Sequence, residues 1–187
     1  MKTGFLSFVF TSAIIICQGQ TNLPPLDKSP MDMCYFPVDF PLQKVAHKSD
    51  APLIARVIYG RPQKNARNIF GDLVPYDMVW RVGANEATEI EFFRDVKING
   101  KKLSKGRYTI YAIPYTDKWT VILNKETDTW GAFGYDAKKD VMRIDEKVTI
   151  RPEILEIFTI CFEGSEKNKT NLLICWDNEE IRLPINW

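Results

Sequence analysis

The stretch that decides the fold runs from Val96 to Asn124 and reads VKINGKKLSKGRYTIYAIPYTDKWTVILN. Its first part places the dipeptide Asn99-Gly100 between two short runs of strand-forming residues. This dipeptide accepts the positive φ angles that a two-residue hairpin turn needs at both central positions. Two longer runs rich in β-branched and aromatic residues follow, at 107–114 and 119–124, with a polar turn around Asp117 between them. The stretch therefore predicts a series of antiparallel strands.

The same pattern continues on both sides of this stretch. LIARVIY (53–59) is apolar and β-branched, and TEIEFF (88–93) alternates polar with apolar residues, as a half-buried strand does. Further strands are predicted at 141–150, 155–162, 172–176 and 181–185, with breaks at 164–171 and 177–180. No segment has the pattern of a three-turn helix. The sequence predicts an all-β fold with little helix, an antiparallel β-sandwich, with jelly-roll-like and barrel-like arrangements as alternatives.

The first residues have the pattern of a secretory signal peptide. Lys2 precedes the uncharged, mostly apolar run 5–16, and small residues lead to an expected cut after Gly19. We therefore expect a signal peptide at 1–19 and export to the periplasm or the extracellular space. Lipid attachment at Cys17 is the weaker alternative, because the large Ile16 precedes it. The apolar run is too short for a transmembrane helix, and no later stretch is long and apolar enough.

The remaining chain divides into a proline-rich segment and one domain. Residues 20–41 hold five prolines, a density that excludes a central strand or a long helix. The five are Pro24, Pro25, Pro30, Pro37 and Pro41. We expect this segment to be an extended arm laid over the surface. Residues 42–187 have a length typical of a single domain, which we expect to be one β domain.

Composition excludes several classes of function. The chain has 25 basic and 24 acidic residues, and loss of 1–19 would remove Lys2 and bring the net charge from +1 to 0. This balance lacks the basic surface of a nucleic-acid-binding protein. His47 is the only histidine, which argues against multi-histidine metal sites and most histidine-dependent nucleophiles. With no phosphate-binding loop or nucleophile elbow either, we expect no metal, no cofactor and no nucleic-acid partner.

Two cysteines in the last predicted hairpin are candidates for a disulfide. If its turn centres on Asn168, Cys161 and Cys175 lie directly opposite each other. Cross-strand β-carbons at such positions are about 5 Å apart, near the separation of a disulfide. The sequence thus predicts a disulfide between them, and two neighbouring reduced thiols are the alternative.

The candidate site centres on VPYDMVWRVGANEATEIEFF (74–93), where an Arg, an Asn and a Glu cluster at the entrance of a strand. Gly83 and Asn85 favour a tight turn. One interpretation is structural: Arg81 and Glu86 form an ion pair that locks this turn. The other is a ligand site built with neighbouring loops. An intermediate interpretation lets Arg81 pair with a nearby acid or carbonyl while one edge of its guanidinium stays open to a pocket.

The ligand interpretation brings together aromatic and polar side chains from loops at one end of the sandwich. The predicted ligand-binding residues are Tyr59, Arg61, Arg67, Trp80, Arg81, Asn85, Glu86 and Trp130. Aromatic faces and amides suit a sugar, and two arginines suit a carboxylate or phosphate. For Trp130, core filling together with Phe133 and Tyr135 is the alternative.

Several motifs together resemble one known family. These are VIYGRP (57–62), RNIFGDLVPYDMVWRVGANEATEIEF (67–92), VKINGKKLSKGRYTIYAIP (96–114), WTVILNKETDTWGAFGYD (119–136) and DVMRID (140–145). In their order and spacing they resemble domain of unknown function 2911, a family of exported bacterial proteins. The resemblance extends from about Met31 to the end of the chain. It implies a compact secreted β domain and no particular activity.

We therefore expect an exported binding module for a glycan or another small polar ligand. The alternative is a structural or protein-interaction domain of the cell envelope. A carboxylate-dependent hydrolase comes third, because only Glu86, Glu89 and Glu91 cluster near the site, and catalysis needs two carboxylates placed across a bond. Glu89 and Glu91 share one strand face and are simply explained as solvated, so we do not favour an enzyme.

Overall fold

The computed structural model describes residues 23–48, 50–166 and 168–187. The predicted signal peptide at 1–19 and the alternative lipid site at Cys17 lie outside these residues. Ten strands form two antiparallel sheets: β1 (Met31–Phe36), β2 (Ala55–Gly60), β3 (Glu89–Phe92), β4 (Val96–Ile98), β5 (Lys101–Leu103), β6 (Gly106–Pro114), β7 (Lys118–Asn124), β8 (Asp140–Lys147), β9 (Thr149–Glu166) and β10 (Lys169–Asn186). The helices are α1 (Phe40–Val45) and a short 3-10 helix, Ala137–Lys139.

In the described residues the architecture is the predicted sandwich, and neither sheet closes into a barrel. The first sheet has six strands in the order β1-β2-β3-β6-β7-β8, and the second has four in the order β5-β4-β10-β9. Apolar side chains from both sheets meet in one core. Within the described residues, no helix has the length and apolar character to cross a membrane.

The hairpin at Asn99-Gly100 is confirmed. Asn99 and Gly100 have φ angles of 45° and 77°, and Ile98 pairs directly with Lys101. The two sheets share the stretch that contains it, because β4 and β5 belong to the second sheet and β6 and β7 to the first. The connections on either side of the hairpin therefore cross from one layer to the other.

Alternation in β3 places its apolar residues in the core. Ile90 and Phe92 are buried, and Glu89 and Glu91 lie on the opposite face. Burial of such side chains contributes about 25 cal/mol per Å² of apolar surface removed from water. A cluster of aromatic rings fills the middle of the sandwich, where Trp80 contacts Trp119 edge-on and stacks with Trp176 at 6.3 Å. The segment that carries Arg81 is therefore anchored in the core by its neighbour.

Part of the predicted extended arm is a regular, partly exposed strand. Met31–Phe36 forms β1, an edge strand of the first sheet, with Cys34 opposite Val57. An edge position agrees with the prolines that flank it, because a proline cannot donate to a sheet ladder. Residues 23–29 ahead of it are almost entirely exposed.

The end of the chain differs from the prediction in two ways. The expected strands 172–176 and 181–185 are one strand, β10, whose pairing with β9 shifts around Asp177, where φ is 54°. The predicted register of the hairpin was also wrong. Cys161 pairs with Leu173 and Cys175 pairs with Thr159, so the two cysteines are offset instead of opposite. Both are free thiols, as is Cys34, and no bridge joins them. A two-residue offset places the two side chains on one face but beyond direct pairing.

Candidate functional site

The loop from Arg81 to Thr88 is held by backbone contacts at both ends. Trp80 exchanges two hydrogen bonds with Ala112 of β6, with N···O distances of 2.7 and 2.9 Å. At the other end the Thr88 amide donates to the Arg81 carbonyl at 3.1 Å, and the Thr88 hydroxyl donates to the Val82 carbonyl. These contacts fix the direction in which the Arg81 side chain leaves the backbone.

The same loop contains backbone conformations that are costly for its residues. Val82 has a φ of 56° although it is β-branched and fully buried, and Asn85 has a φ of 60°. A positive φ in a β-branched residue is rare and persists only where the surroundings enforce it. Close packing enforces it here, because a β-carbon on Gly60 would lie 2.4 Å from the Ala84 carbonyl oxygen. The loop thus packs closely against the end of β2.

A cavity of about 250 Å³ opens beside this loop. Four of the sequence-predicted residues line it, namely Arg67, Trp80, Arg81 and Asn85. The other lining residues are Ser29, Pro62, Leu73, Val74, Gly83, Ala84 and Trp176. We call this the Arg81 cavity. Its wall combines the loop 81–88, the segment 62–74, one residue of the arm and one residue of β10.

Arg81 has no protein partner among the described residues. Its Nε–H is buried and donates no hydrogen bond to the described residues, and burial lowers the pKa of its guanidinium. The predicted ion pair with Glu86 is not formed. The intermediate interpretation predicted that Arg81 pairs with a nearby acid or carbonyl, and this was also wrong. Within the described chain, no acid or carbonyl binds the guanidinium. The loop is locked by Thr88 instead.

Arg67 reaches the cavity from a different loop and is oriented by the backbone. Its Nε donates to the Lys64 carbonyl at 2.9 Å and one Nη donates to the Gln63 carbonyl at 2.5 Å. Two hydrogen bonds of this kind hold the plane of a guanidinium and leave its other donors available. Arg67 and Arg81 thus line one cavity from two loops, and Arg67 has a fixed orientation.

Trp80 lines the cavity but belongs to the core. Its side chain is only 8% exposed, and it packs against Trp119, Phe158 and Trp176. The indole N–H groups of Trp119 and Trp176 donate to Glu179 and to the Glu156 carbonyl. Within the described chain no acceptor is found for the indole N–H of Trp80. Trp80 thus offers the cavity an edge and a donor, and little ring face for stacking.

Two predicted residues lie elsewhere and have structural contacts. Tyr59 is buried, its hydroxyl donates to the Ile160 carbonyl at 3.0 Å, and burial raises its pKa to about 12. Arg61 donates to Asp32 at 2.7 Å and to the Thr159 hydroxyl at 3.0 Å. Both residues join the β1–β2 edge to β9, and neither lines the Arg81 cavity.

The last two predicted residues, Glu86 and Trp130, do not line the Arg81 cavity. Glu86 and Trp130 pair through an isolated β-bridge, and the Gly131 amide donates to the Asn85 carbonyl at 2.9 Å. Trp130 is 61% exposed and Phe133 is 88% exposed, so the core-filling alternative was wrong for both. It holds for Tyr135, whose ring packs edge-on against Tyr111 at 5.1 Å.

Two of the three carboxylates considered for hydrolysis, Glu89 and Glu91, form ion pairs with arginines. Glu91 pairs with Arg56 at 2.5 Å, and Glu89 pairs with Arg107 at 3.3 Å. Glu86 and Glu89 line a separate depression of about 210 Å³. The pairs are cross-strand contacts on one face of the sheet, as the register of β2, β3 and β6 requires.

Two larger cavities contain none of the predicted residues. One of about 360 Å³ lies beside the β4–β5 hairpin and Trp187, and one of about 330 Å³ is lined by Tyr76, Asp177 and Glu179 among others. In the second, protein donors already bind the acids: Lys64 pairs with Asp177 at 2.5 Å, and Trp119 donates to Glu179. The Arg81 cavity differs because its charged group is unpaired, which makes it the better candidate despite its smaller volume.

Sequence reasoning missed the apolar wall of the cavity. Leu73 and Val74 come from a turn stabilised by the hydrogen bond from the Gly71 amide to the Val74 carbonyl, and Trp176 comes from a distant strand. The one signal in the sequence for the stacking of Trp80 on Trp176 is that both residues are aromatic. In the part of the chain that the structure describes, no three potential metal ligands cluster.

Comparison with known proteins gives one match. A family model described as "Protein of unknown function (DUF2911)" matches residues 41–185. No curated protein and no solved structure matches the chain.

Proposed function

This chain belongs to the DUF2911 family of proteins of unknown function, and we propose that it is an exported module that binds a small polar ligand, such as a glycan unit, in the Arg81 cavity. Export rests on the pattern of residues 1–19. Binding rests on one observation: four polar or aromatic residues selected from sequence line a single cavity, and its half-buried Arg81 has no partner within the described chain.

Arg81 is half-buried and has no partner in the described chain, which costs free energy of folding. Removing a guanidinium from water without a partner is unfavourable, and natural proteins pair such groups. Half-buried charges without partners are concentrated at sites where a ligand supplies the partner. The positive φ angles at Val82 and Asn85 support the same proposal, because enforced backbone strain clusters at ligand-binding loops.

A cavity-blocking variant tests the proposal. Leu73 is 43% exposed and lines the cavity, so Leu73→Trp can fill the space without disturbing the core. Leu42→Trp on α1 is the matched control, because Leu42 is exposed and does not line the cavity. The purified chain is screened by ligand-observed NMR against a library of small sugars, sugar acids and polar metabolites. Ligands lost in Leu73→Trp and retained in Leu42→Trp support the proposal, and a screen without any such ligand contradicts it.

One observation favours the alternative of an interaction domain. Trp130 and Phe133 expose large apolar rings on one loop, outside the Arg81 cavity. Exposed aromatic residues are frequent anchors in protein interfaces. A double variant, Trp130→Ser with Phe133→Ser, is compared with Leu73→Trp by cross-linking in intact cells. Loss of a cross-linked envelope protein only in the double variant would favour this alternative.

A further inference from the structure

The charged side chains on the wall of the Arg81 cavity are all positive. Among the described residues that line it, Arg67 and Arg81 are the charged ones, and none is an aspartate or glutamate. Three arginines elsewhere on the described surface pair with carboxylates: Arg56 with Glu91, Arg107 with Glu89, and Arg182 with Glu163. The cavity therefore has a local excess of positive charge in a chain whose overall charge is nearly balanced.

Arg81 is distinguished from two other arginines with a buried, unbonded Nε. Arg56 and Arg151 share that feature, but each forms an ion pair, with Glu91 and with Glu180. Arg81 has neither a hydrogen bond nor an ion pair from its side chain to the described residues. Hydrogen bonds to charged groups are stronger than neutral ones, and a guanidinium binds carboxylate and phosphate in a two-pronged geometry. An anion would satisfy Arg81 in the way that Glu91 satisfies Arg56.

Part of the remaining wall is apolar, beside the polar Ser29 and Asn85. Leu73, Val74, Trp80 and Trp176 lie on it, and the tryptophans are held by core contacts. A fully hydrated ion such as free phosphate would leave this part of the wall without a contact. A ligand with an anionic group at one end and a ring or short apolar body at the other would contact both.

We infer that the Arg81 cavity binds a small amphiphilic anion, whose carboxylate or phosphate lies against Arg81 and Arg67 and whose ring or apolar body lies against Leu73 and the edge of Trp80. This inference rests on the proposed function and narrows its ligand class. Arg67, oriented by the Gln63 and Lys64 carbonyls, provides the second cationic contact. Within the ligand class of the proposed function, the inference therefore favours an anionic ligand over a neutral glycan.

Three probes with the same ring test the inference. Benzoate and phenyl phosphate carry the two candidate anionic groups, and benzyl alcohol is neutral. Each is titrated into the ¹⁵N-labelled chain, and the signals of the Arg81 Nε–H and the Trp80 indole N–H are followed. We expect both anions to move both signals and at least one to bind about tenfold or more tightly than the alcohol, as a charge-assisted hydrogen bond provides. The stronger of the two identifies carboxylate or phosphate as the natural group.

Variants assign the effect to Arg81. Arg81→Met keeps the aliphatic length of the side chain and removes the charge, and it should abolish the advantage of the anions over the alcohol. Arg56→Met, outside the cavity, removes the same charge and should preserve that advantage. If Arg81→Met does not fold, Arg81→Lys keeps the charge without the planar fork and should weaken binding of the stronger anion.

The outcomes separate the inference from the proposed function. If benzyl alcohol moves the Trp80 signal and binds as tightly as the anions, the cavity is a ligand site and the anion inference is overturned. If the anions bind equally well to Arg81→Met, the inference is overturned as well. If no probe moves either signal at millimolar concentration, the inference fails, while the library screen with Leu73→Trp still decides the proposed function independently.

Discussion

The indole N–H of Trp119 donates a hydrogen bond to Oε2 of Glu179 at 3.0 Å, and this bond connects the two sheets through the core. Trp119 lies on β7 and Glu179 on β10, and both side chains are buried. The hydroxyl of Tyr76 donates to the other carboxylate oxygen at 3.4 Å. A buried carboxylate with two neutral donors and no cation makes the stability of the sandwich depend on pH.

Glu179→Gln should become more stable relative to the wild type as pH rises from 4 to 7. Burial raises the pKa of Glu179 above its ordinary 4.5, and the bonds from Trp119 and Tyr76 offset this only in part. The folded state therefore holds the proton more tightly than the unfolded state, and stability is lost as pH rises through this range. Glutamine mimics the protonated form and removes the loss. Urea unfolding at several pH values measures it, and a constant difference between the two proteins would contradict the assignment.

Glu180→Gln should show the opposite dependence on pH. Burial opposes ionisation of Glu180, but hydrogen bonds from Arg182 and Arg151 outweigh it and lower the pKa below 4.5. The ionised form therefore stabilises the fold above pH 4.5, and this contribution is lost as pH falls. At pH 7 the substitution should cost about 1–3 kcal/mol, as expected for a hydrogen bond to a charged group. The same urea series measures it, and parallel curves for the two variants would rule out the contrast.

Most of the fold could be predicted from the sequence, because the turn signals and the alternation of polar and apolar residues agree with the burial seen in the structure. The Asn99-Gly100 turn and the alternation in β3 each place residues on a face, and the structure follows both. The errors occurred where a turn or a bulge sets the register. Asp177, in a left-handed conformation, shifts β10 against β9 without ending the strand. The offset between Cys161 and Cys175 depends on the turn geometry around Asn168, which spacing alone does not determine.

The sequence predicted only four of the residues that line the Arg81 cavity, and the reason is different from that for the fold. Arg67 and Arg81 line one cavity from two different loops, and the sequence pattern predicted that loops of this kind would converge. That Tyr59 is core and that Trp176 completes the wall depends on which layer each strand joins. Proximity in sequence was also a poor guide: Arg81 and Glu86 are five residues apart, yet Arg81 lines the Arg81 cavity and Glu86 lines the separate depression beside Glu89.

Trp80→Ala should destabilise the protein by about 3–5 kcal/mol, as large-to-small changes of buried tryptophans do. Its ring fills the centre of the aromatic cluster between Trp119 and Trp176. Trp130→Ala, at a residue 61% exposed, should change stability by about 0.5 kcal/mol or less. Denaturant unfolding of both variants checks the contrast. Similar losses would mean that Trp80 is not a core residue, and a large loss in Trp80→Ala makes that variant unsuitable for testing binding.

Gly60→Ala should destabilise the protein and disturb the loop that orients Arg81. A β-carbon at Gly60 would lie 2.4 Å from the Ala84 carbonyl oxygen, and backbone on both sides cannot move away cheaply. Overpacking of this kind costs about 1–3 kcal/mol. Gly134→Ala is the control, because nothing lies within 4 Å of its added carbon. Thermal unfolding should show a lower midpoint for Gly60→Ala alone, and equal midpoints would remove the close approach as a constraint.

Arg81→Met and Glu86→Gln should have independent and small effects on stability. No ion pair joins the two residues in the described structure, and Glu86 is exposed. Glu86→Gln should therefore change the free energy of unfolding by about 0.5 kcal/mol or less. Arg81→Met should be neutral or stabilising, because it removes the cost of burying an unpaired charge while its methylenes remain. The coupling energy from a double-mutant cycle should lie within about 0.5 kcal/mol of zero.

The pair Arg56 and Glu91 provides the positive control for that cycle. Their side chains form an ion pair at 2.5 Å and are each about one-third exposed, at 35% and 31%. Such pairs give coupling energies of about 0.2–1 kcal/mol, so the cycle of Arg56→Met and Glu91→Gln should be measurably non-zero. A locked turn at Arg81 would instead cost about 3–5 kcal/mol in the single variant and couple strongly to Glu86. That result would make Arg81 a structural residue and would remove the unpaired charge on which ligand binding depends.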